Sequence, residues 1–341
     1  DLYINRPDED IVSLFRTLHG GEIYRTKIDN AFIVGNTNVG GLVGINAGLI
    51  SKCIVSGAIT GNLYVGGLIA FNYAISSFNY VLGDIEGYNY VAGLVNQNYG
   101  IITYCYSMAS VTGNQYVAGL VTNNEGSIDT CYAVGRVQGV SFLSGLIRDS
   151  SGSSGECYWD TEATGQTTSP GGGVGKTTAE MKQQATYSGW DFFMTWTIIE
   201  NQSYPYFVWD GSPQVACPNV VGLDTTSANI KLSNVGLNTG SITYQCSDTI
   251  PENTVITQNP KSRRIVSWGT SVDLIVSSGP CPEGEGSLEG TPEGSVEGEG
   301  STEGTPEGVV EGTPEGTPEG TPEGVVEGTP EGTPEGVVEG T

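Results

Sequence analysis

Three stretches decide the fold: VGGLIAFN at residues 65–72, VAGLVNQN at 91–98 and VAGLVTNN at 117–124. Each begins 26 residues after the one before it. The register extends outward in both directions. Gly-Leu recurs as Gly41-Leu42, Gly67-Leu68, Gly93-Leu94, Gly119-Leu120 and Gly145-Leu146. Val39, Val65, Val91, Val117 and Leu143 form a second column, and Asn46, Asn72, Asn98 and Asn124 a third. A fixed period without insertions means that every repeat is one coil of the same shape.

Within a coil the pattern is that of strands. Ile59, Ile85, Val111 and Val137 form an apolar column flanked by polar ones, such as Thr60, Glu86, Thr112 and Gln138. That is alternation at period two, apolar side in and polar side out. Spacing near 3.6 is missing, so helices are not expected here. Coils stack as parallel strands about 4.8 Å apart, which makes five coils a rod of about 24 Å. The Asn column is expected to form an amide ladder. The Gly columns, among them Gly35, Gly61, Gly87, Gly113 and Gly139, are expected to permit the corners.

Three more columns bear on function. Cys53, Cys105, Cys131 and Cys157 share one position, with Asn79 in place of the second, and read as buried thiols. They lack CxxC-type spacing and the chain has one histidine, His19, so no metal site is expected. Tyr64, Tyr90, Tyr116 and Phe142 form one aromatic column; Tyr80, Tyr106, Tyr132 and Tyr158 form another. Both are candidate ligand-binding platforms for sugar rings or a partner. The competing reading is rings stacked on each other to stiffen the rod.

The units VGGLVGINAG, VAGLVNQNYG and VAGLVTNNEG, followed by CYSMASVTG and CYAVGRVQG, resemble the GLUG-repeat family over residues 35–160. The resemblance implies a bacterial exported or surface protein, often adhesin-like or an ancillary region of a secreted peptidase, with no catalytic residues to carry over.

PGGGVGKTT at 170–178 poses as a phosphate-binding loop. The required first glycine is Pro170, no hydrophobic strand precedes it, and no later strand offers an acidic magnesium partner. A short helix capped by Thr177 or Thr178 with Glu180 in its first turn is expected instead, with the glycines as a hinge. The segments from CYWDTEATGQTTS to SYPYFVW resemble those that follow the last such repeat. Trp190, Phe192, Phe193, Trp196, Tyr204, Tyr206, Phe207 and Trp209 are expected to cap the open solenoid end; a binding pocket is the alternative.

Beyond Pro213 the pattern changes. CPNVVG reads as a short strand and TTSANIKLSNVG as a helix capped by Asp224 or Thr225, stopped by Gly236. Strands follow at SITYQC, NTVITQ and TSVDLIVS. PNVVGL, Gly236-Leu237, TIPENTVITQNP and WGTSVDLIVSSGP resemble the PASTA domain over 214–280, with KSRRIVS departing from its usual Pro-x-x-Gly spacing. That resemblance implies a small noncatalytic module of bacterial cell-wall contact, with peptidoglycan fragments bound in some members. Cys217, Cys246 and Cys281 fit one disulfide plus one free thiol, pairing open.

The predicted architecture is mainly β. A degenerate N-terminal coil or cap occupies 1–34, a parallel β-solenoid of 26-residue coils 35–160, and an aromatic-rich C-terminal cap 161–212. A small α+β PASTA-like domain at 213–280 and a disordered acidic linker at 281–341 complete it. The linker repeats EGTP and EGVV and carries 16 Glu with no Lys or Arg. It accounts for most of the net charge of −25; the rest holds 22 acids against 13 bases. Such a balance excludes nucleic acid as a partner. No apolar run approaches the roughly 20 residues of a membrane-spanning helix.

The expected function is a noncatalytic, exported, adhesin-like rod with a wall-binding module, located outside the cell or on its surface and needing no cofactor. Its export signal and anchor are expected outside this sequence. Peptidoglycan, a surface glycan, or a host or neighbouring-cell protein are the expected partners. A polysaccharide-binding or polysaccharide-degrading β-solenoid is the alternative. Asp84 and Glu86 share a face, but the neighbouring coils supply no second acid for a catalytic pair.

Overall fold

The computed structural model describes residues 1–281; of the acidic linker expected over 281–341, all but Cys281 lies outside them. Parallel strands stack in two sheets. One runs through Leu2–Asn5, Lys27–Val34, Ile54–Gly66, Tyr80–Ala92, Tyr106–Ser107, Tyr132–Ala133, Tyr158–Asp160 and Val174–Lys176. The register steps by whole repeats: Ile54 faces Tyr80, Tyr80 faces Tyr106, Tyr106 faces Tyr132 and Tyr132 faces Tyr158. The second sheet is built in the same way, with Asn46 beside Asn72, Asn72 beside Asn98 and Asn98 beside Asn124. Residues 1–34 extend the stack as an irregular coil. Ala31 pairs with Gly57 in step, whereas Lys27 pairs with Ile54 one residue out, across a bulge.

The interior follows the apolar columns. Val39, Val65, Val91 and Val117 are fully buried, as are Leu42, Leu68, Leu94, Leu120 and Leu146. Each such side chain contributes about 1.5–3 kcal/mol of burial. The predicted amide ladder is present. Asn46 Nδ2 donates to Asn72 Oδ1 at 2.7 Å, Asn72 to Asn98 at 2.8 Å, and Asn98 to Asn124 at 2.7 Å. Asn124 donates to Ser150 Oγ at 3.0 Å, which ends the ladder on a hydroxyl. The four column cysteines are buried free thiols. Asn79 fits among them because its amide is satisfied: Oδ1 accepts from the Cys53 amide at 2.7 Å and Nδ2 donates to Ile50 O at 2.9 Å.

Four expectations are corrected. Most corners do not rest on glycine. Asn38, Tyr64, Tyr90, Tyr116 and Phe142 hold φ of 56–57°, and Lys52, Phe78, Tyr104 and Thr130 hold 51–57°. These are left-handed conformations at non-glycine residues, costing on the order of 1–3 kcal/mol each and held by the packing around them. The glycine of each Gly-Leu pair serves close approach instead: a Cβ at Gly67 would strike the Gly93 carbonyl, and one at Gly93 the Gly119 carbonyl.

The glycine run at 170–175 is not a hinge. Gly171 lies on Ile147, Gly173 on Leu146, and Val174–Lys176 pairs in parallel with Tyr158–Asp160. Together with Trp159, which lies against Gly145, this run closes the end of the core. Helix α1 (Thr161–Thr164) is capped by Asp160, and α2 (Thr178–Met181) by Thr177 and Glu180 in a reciprocal capping box.

The aromatic set after α2 covers a side of the rod rather than its end. Trp190, Trp196 and Phe207 pack along the Tyr80 column, while Phe193 stays exposed. The cover is thus lateral. The stacked coils alone leave the Tyr80 column uncovered, and these large rings remove it from water.

After the short strand Gln214–Ala216 comes α3 (Thr225–Ser233), capped by Asp224. Asn238–Gln245, Ser271–Ser277 and Val255–Asn259 form a three-stranded sheet packed on α3 through Leu232, Leu237, Val272 and Leu274. CPNVVG is not a strand; the strand precedes it and pairs with Ile265–Ser267. Cys246 and Cys281 form a disulfide and Cys217 is a buried free thiol. No helix among the described residues is long and apolar enough to cross a membrane.

Candidate functional site

The two aromatic columns come from the same coils and meet different fates. Tyr64, Tyr90, Tyr116 and Phe142 stack on one another, with centroids 5.1, 4.5 and 4.7 Å apart. Their left-handed corners turn the side chains outward, half-buried, with Phe142 47% exposed. The ring faces are spent on each other, and the Arg148 guanidinium lies 5.1 Å over Phe142 at the last ring. A sugar ring needs a free aromatic face, so this column presents ring edges and hydroxyls rather than a stacking platform. A second exposed pair, Tyr73 on Tyr99 at 4.9 Å, runs on the same pattern. Burial and the neighbouring phenols push the Tyr90 hydroxyl up from its usual range.

Tyr80, Tyr106 and Tyr132 are fully buried and Tyr158 is 6% exposed. Tyr80, Tyr106 and Tyr132 stack at 4.5 and 4.8 Å with Trp196 and Phe207 against them, while Tyr158 meets Tyr187 and Trp190 edge-on. These four are core, not an open surface. Desolvation pushes the Tyr80, Tyr106 and Tyr132 hydroxyls well above the ordinary phenol range. Tyr132 donates to Pro205 O, and Tyr80 to Asp210 Oδ1 at 3.3 Å. Asp210 is pushed up to about 7, chiefly by burial, with the Tyr80 hydrogen bond and Lys27 opposing.

The C-terminal module is seated on the solenoid through the segment that departs from its family's spacing. Arg264 reaches Asp29 at 2.9 Å and Asp1 at 3.0 Å; Arg263 reaches Asp84 at 3.1 Å. The Ile265 amide donates to Asp29 Oδ1 at 2.8 Å, and Ser56 Oγ donates to the Arg263 carbonyl at 2.8 Å. Arg263 stands in the left-handed region at φ 66°, in the turn that presents both guanidinium groups. The charges are single letters in the sequence; the departure of KSRRIVS from the module's pattern was the signal that could have pointed to them. Asp84, the acid sharing a face with Glu86, is thereby occupied.

Residues 215–278 match the PASTA domain family. Over 70 residues the chain is 33% identical to a probable serine/threonine-protein kinase of Clostridium acetobutylicum, covering 20% of this chain and 11% of that protein. A probable serine/threonine-protein kinase of Clostridium perfringens is 32% identical over 69 residues, covering 20% and 10%. The chain spans about a tenth of the length of these curated relatives. Among solved structures it is similar to the extracellular region of the Ser/Thr kinase PrkC from Staphylococcus aureus, with 34% identity, a TM-score of 0.18, and 19% and 23% of the two chains covered. A three-PASTA-domain structure of a Ser/Thr kinase from the same organism matches at 34% identity and a TM-score of 0.19, covering 19% and 32%. The family match over 215–278 makes the module read from PNVVGL and the closing strand a PASTA domain.

Proposed function

We propose that this chain is a noncatalytic, exported protein of a bacterial surface, in which the PASTA domain contacts the cell wall and the solenoid is the arm it displays. The PASTA match over 215–278 carries the reading. Seating of that domain on the first coils, through Arg263 and Arg264, supports one stiff unit rather than two beads on a string. The adhesin-like role rests on the repeat pattern and on the exposed tyrosine edges, which offer hydroxyls at regular spacing to a glycan or a host or neighbouring-cell protein. The noncatalytic part rests on Asp84 being engaged by Arg263 and on the coils beside it lacking a second acid.

The test is sedimentation of the full chain with insoluble peptidoglycan and, separately, with cellulose and chitin. Pelleting with peptidoglycan alone, reversed by soluble peptidoglycan fragments and without released reducing sugar, is expected. A chain left in the supernatant sinks the wall contact, and sugar release sinks the noncatalytic reading.

A further inference from the structure

A cavity of about 510 Å³ lies where the side of the solenoid, its aromatic cover and the PASTA domain meet without filling the space. That volume falls within the roughly 300–1,000 Å³ of small-molecule sites. Four features of its wall point to a ligand.

The first is free aromatic surface. Trp268 lines the cavity partly exposed and, among the described residues, is not stacked on another ring; Tyr206 lines it too but is only 8% exposed. In the tyrosine columns, by contrast, the faces are taken. Trp268 lies directly over Gly236, where a Cβ would collide with the indole. The second is hydroxyl chemistry. Ser203 and Ser233 line the wall; Ser203 accepts from the Ile199 amide and Ser233 donates to the Ile230 carbonyl, which leaves each hydroxyl capacity for a further hydrogen bond.

The third is a single cation. Lys182 lines the wall, 5.4 Å over the Tyr204 ring, and no carboxylate lies within salt-bridge distance of it among the described residues. The fourth is amide chemistry: Gln202 and Asn234 line the wall, and their side chains make no hydrogen bond within the described chain. A free indole face, amides and hydroxyls open to new partners, and one positive charge match a ring carrying hydroxyls and one acid. A polyphosphate would need more cations, and a purely apolar molecule would make no use of the amides and Lys182.

We propose that this cavity binds a saccharide bearing one carboxylate, its ring against Trp268 and its acid on Lys182. The site uses residues of the solenoid and the cover as well as the PASTA domain, so it stands or falls apart from the wall contact proposed above. Wall-derived and other acidic sugars share this chemistry, and the probes separate them.

The experiment is ligand-observed NMR followed by calorimetric titration of the full chain with N-acetylmuramic acid, glucuronic acid and neutral N-acetylglucosamine. Saturable binding of at least one acid, about tenfold or more tighter than the neutral sugar, is expected from a charged hydrogen bond. The tighter acid then identifies the source. Lys182→Gln should remove that preference while leaving the neutral sugar unchanged, and Trp268→Ala should weaken all three. Lys182→Gln should also leave the thermal midpoint within about 2 °C of the native value, as expected at a partly exposed side chain. An unchanged midpoint separates a ligand role from simple damage to the fold. Absence of saturation by either acid, or a preference untouched by Lys182→Gln, overturns the proposal.

Discussion

The two tyrosine columns arise from one repeat, carry the same side chain and stack at nearly the same spacing, yet only one is part of the core. Tyr90 and Tyr116 sit on left-handed corners with their edges in water, while Tyr80 and Tyr106 lie on a sheet face beneath Trp196 and Phe207. What differs is not the tyrosine but what the rest of the chain places over it. A repeat makes columns; a segment a hundred residues away decides which column is covered. Ring stacking serves both, but burial adds the larger contribution, because removing apolar area from water scales with the area removed.

The largest effect expected from this difference is on stability. Tyr106→Ala should cost about 3–5 kcal/mol, as a large buried ring leaves a cavity between two others. Tyr90→Ala should cost less than about 2 kcal/mol, as for a partly exposed site. Urea unfolding followed by circular dichroism measures both, and equal losses would erase the distinction drawn between the columns.

Next in size is the amide ladder, which is neither aromatic nor on the covered face. Asn98→Ala leaves the Asn72 amide without its 2.8 Å acceptor and Asn124 Oδ1 without its donor. A loss of about 1–3 kcal/mol is expected, while Asn98→Asp should cost more, because it buries a carboxylate whose oxygen faces the Asn124 Oδ1 acceptor. A neutral result for Asn98→Ala would mean that water replaces the ladder freely.

A further difference between the columns is titratable. Asp210 meets the covered one at Tyr80, and its carboxyl is raised to about 7 in the fold. An acid whose folded pKa lies above its unfolded value binds more protons folded than unfolded between the two. Its contribution is therefore fully present below about pH 4 and lost as pH rises toward 7. Thermal midpoints across pH 4–8 should fall over that window by more in the native chain than in Asp210→Asn. The slope is at most about 1.4 kcal/mol per pH unit and smaller in practice, because the carboxyl is only partly buried. Matching profiles for the two proteins would place the carboxyl in water.

The smallest effect lies outside both columns. Arg264→Ala removes the contacts to Asp29 and Asp1, which are partly exposed, and should cost about 1 kcal/mol or less. It should nevertheless speed proteolysis between the cover and the PASTA domain, near 211–213. Unchanged cleavage would show that the seat holds without the guanidinium.

Much of this was legible beforehand. The strands, the 26-residue register, the valine, leucine and asparagine columns, the capping box at Thr177 and Glu180, and α3 follow from local spacing. Spacing is local because a parallel stack repeats the same neighbour at every coil. The corners are not legible: left-handed φ at Tyr64 or Lys52 is offset by packing that no dipeptide rule contains. The glycines of 171–175 suggest flexibility, whereas their lack of a side chain lets Ile147 and Leu146 approach. The apolar run of CPNVVG suggests a strand, but the pairing partner Ile265–Ser267 lies far along the chain and selects Gln214–Ala216 instead.

By itself, the sequence determined the period, the parallel stacking, the inward columns, the amide ladder and the presence of a PASTA domain. Each of these depends on residue type at a fixed spacing. Tertiary structure alone decided which tyrosines are buried, which cysteines pair, where the aromatic segment lies, and that Arg263 and Arg264 meet Asp84 and Asp29. Those outcomes depend on surfaces brought together across 235 residues and more, and chemically identical side chains carry no mark of which surface they will meet.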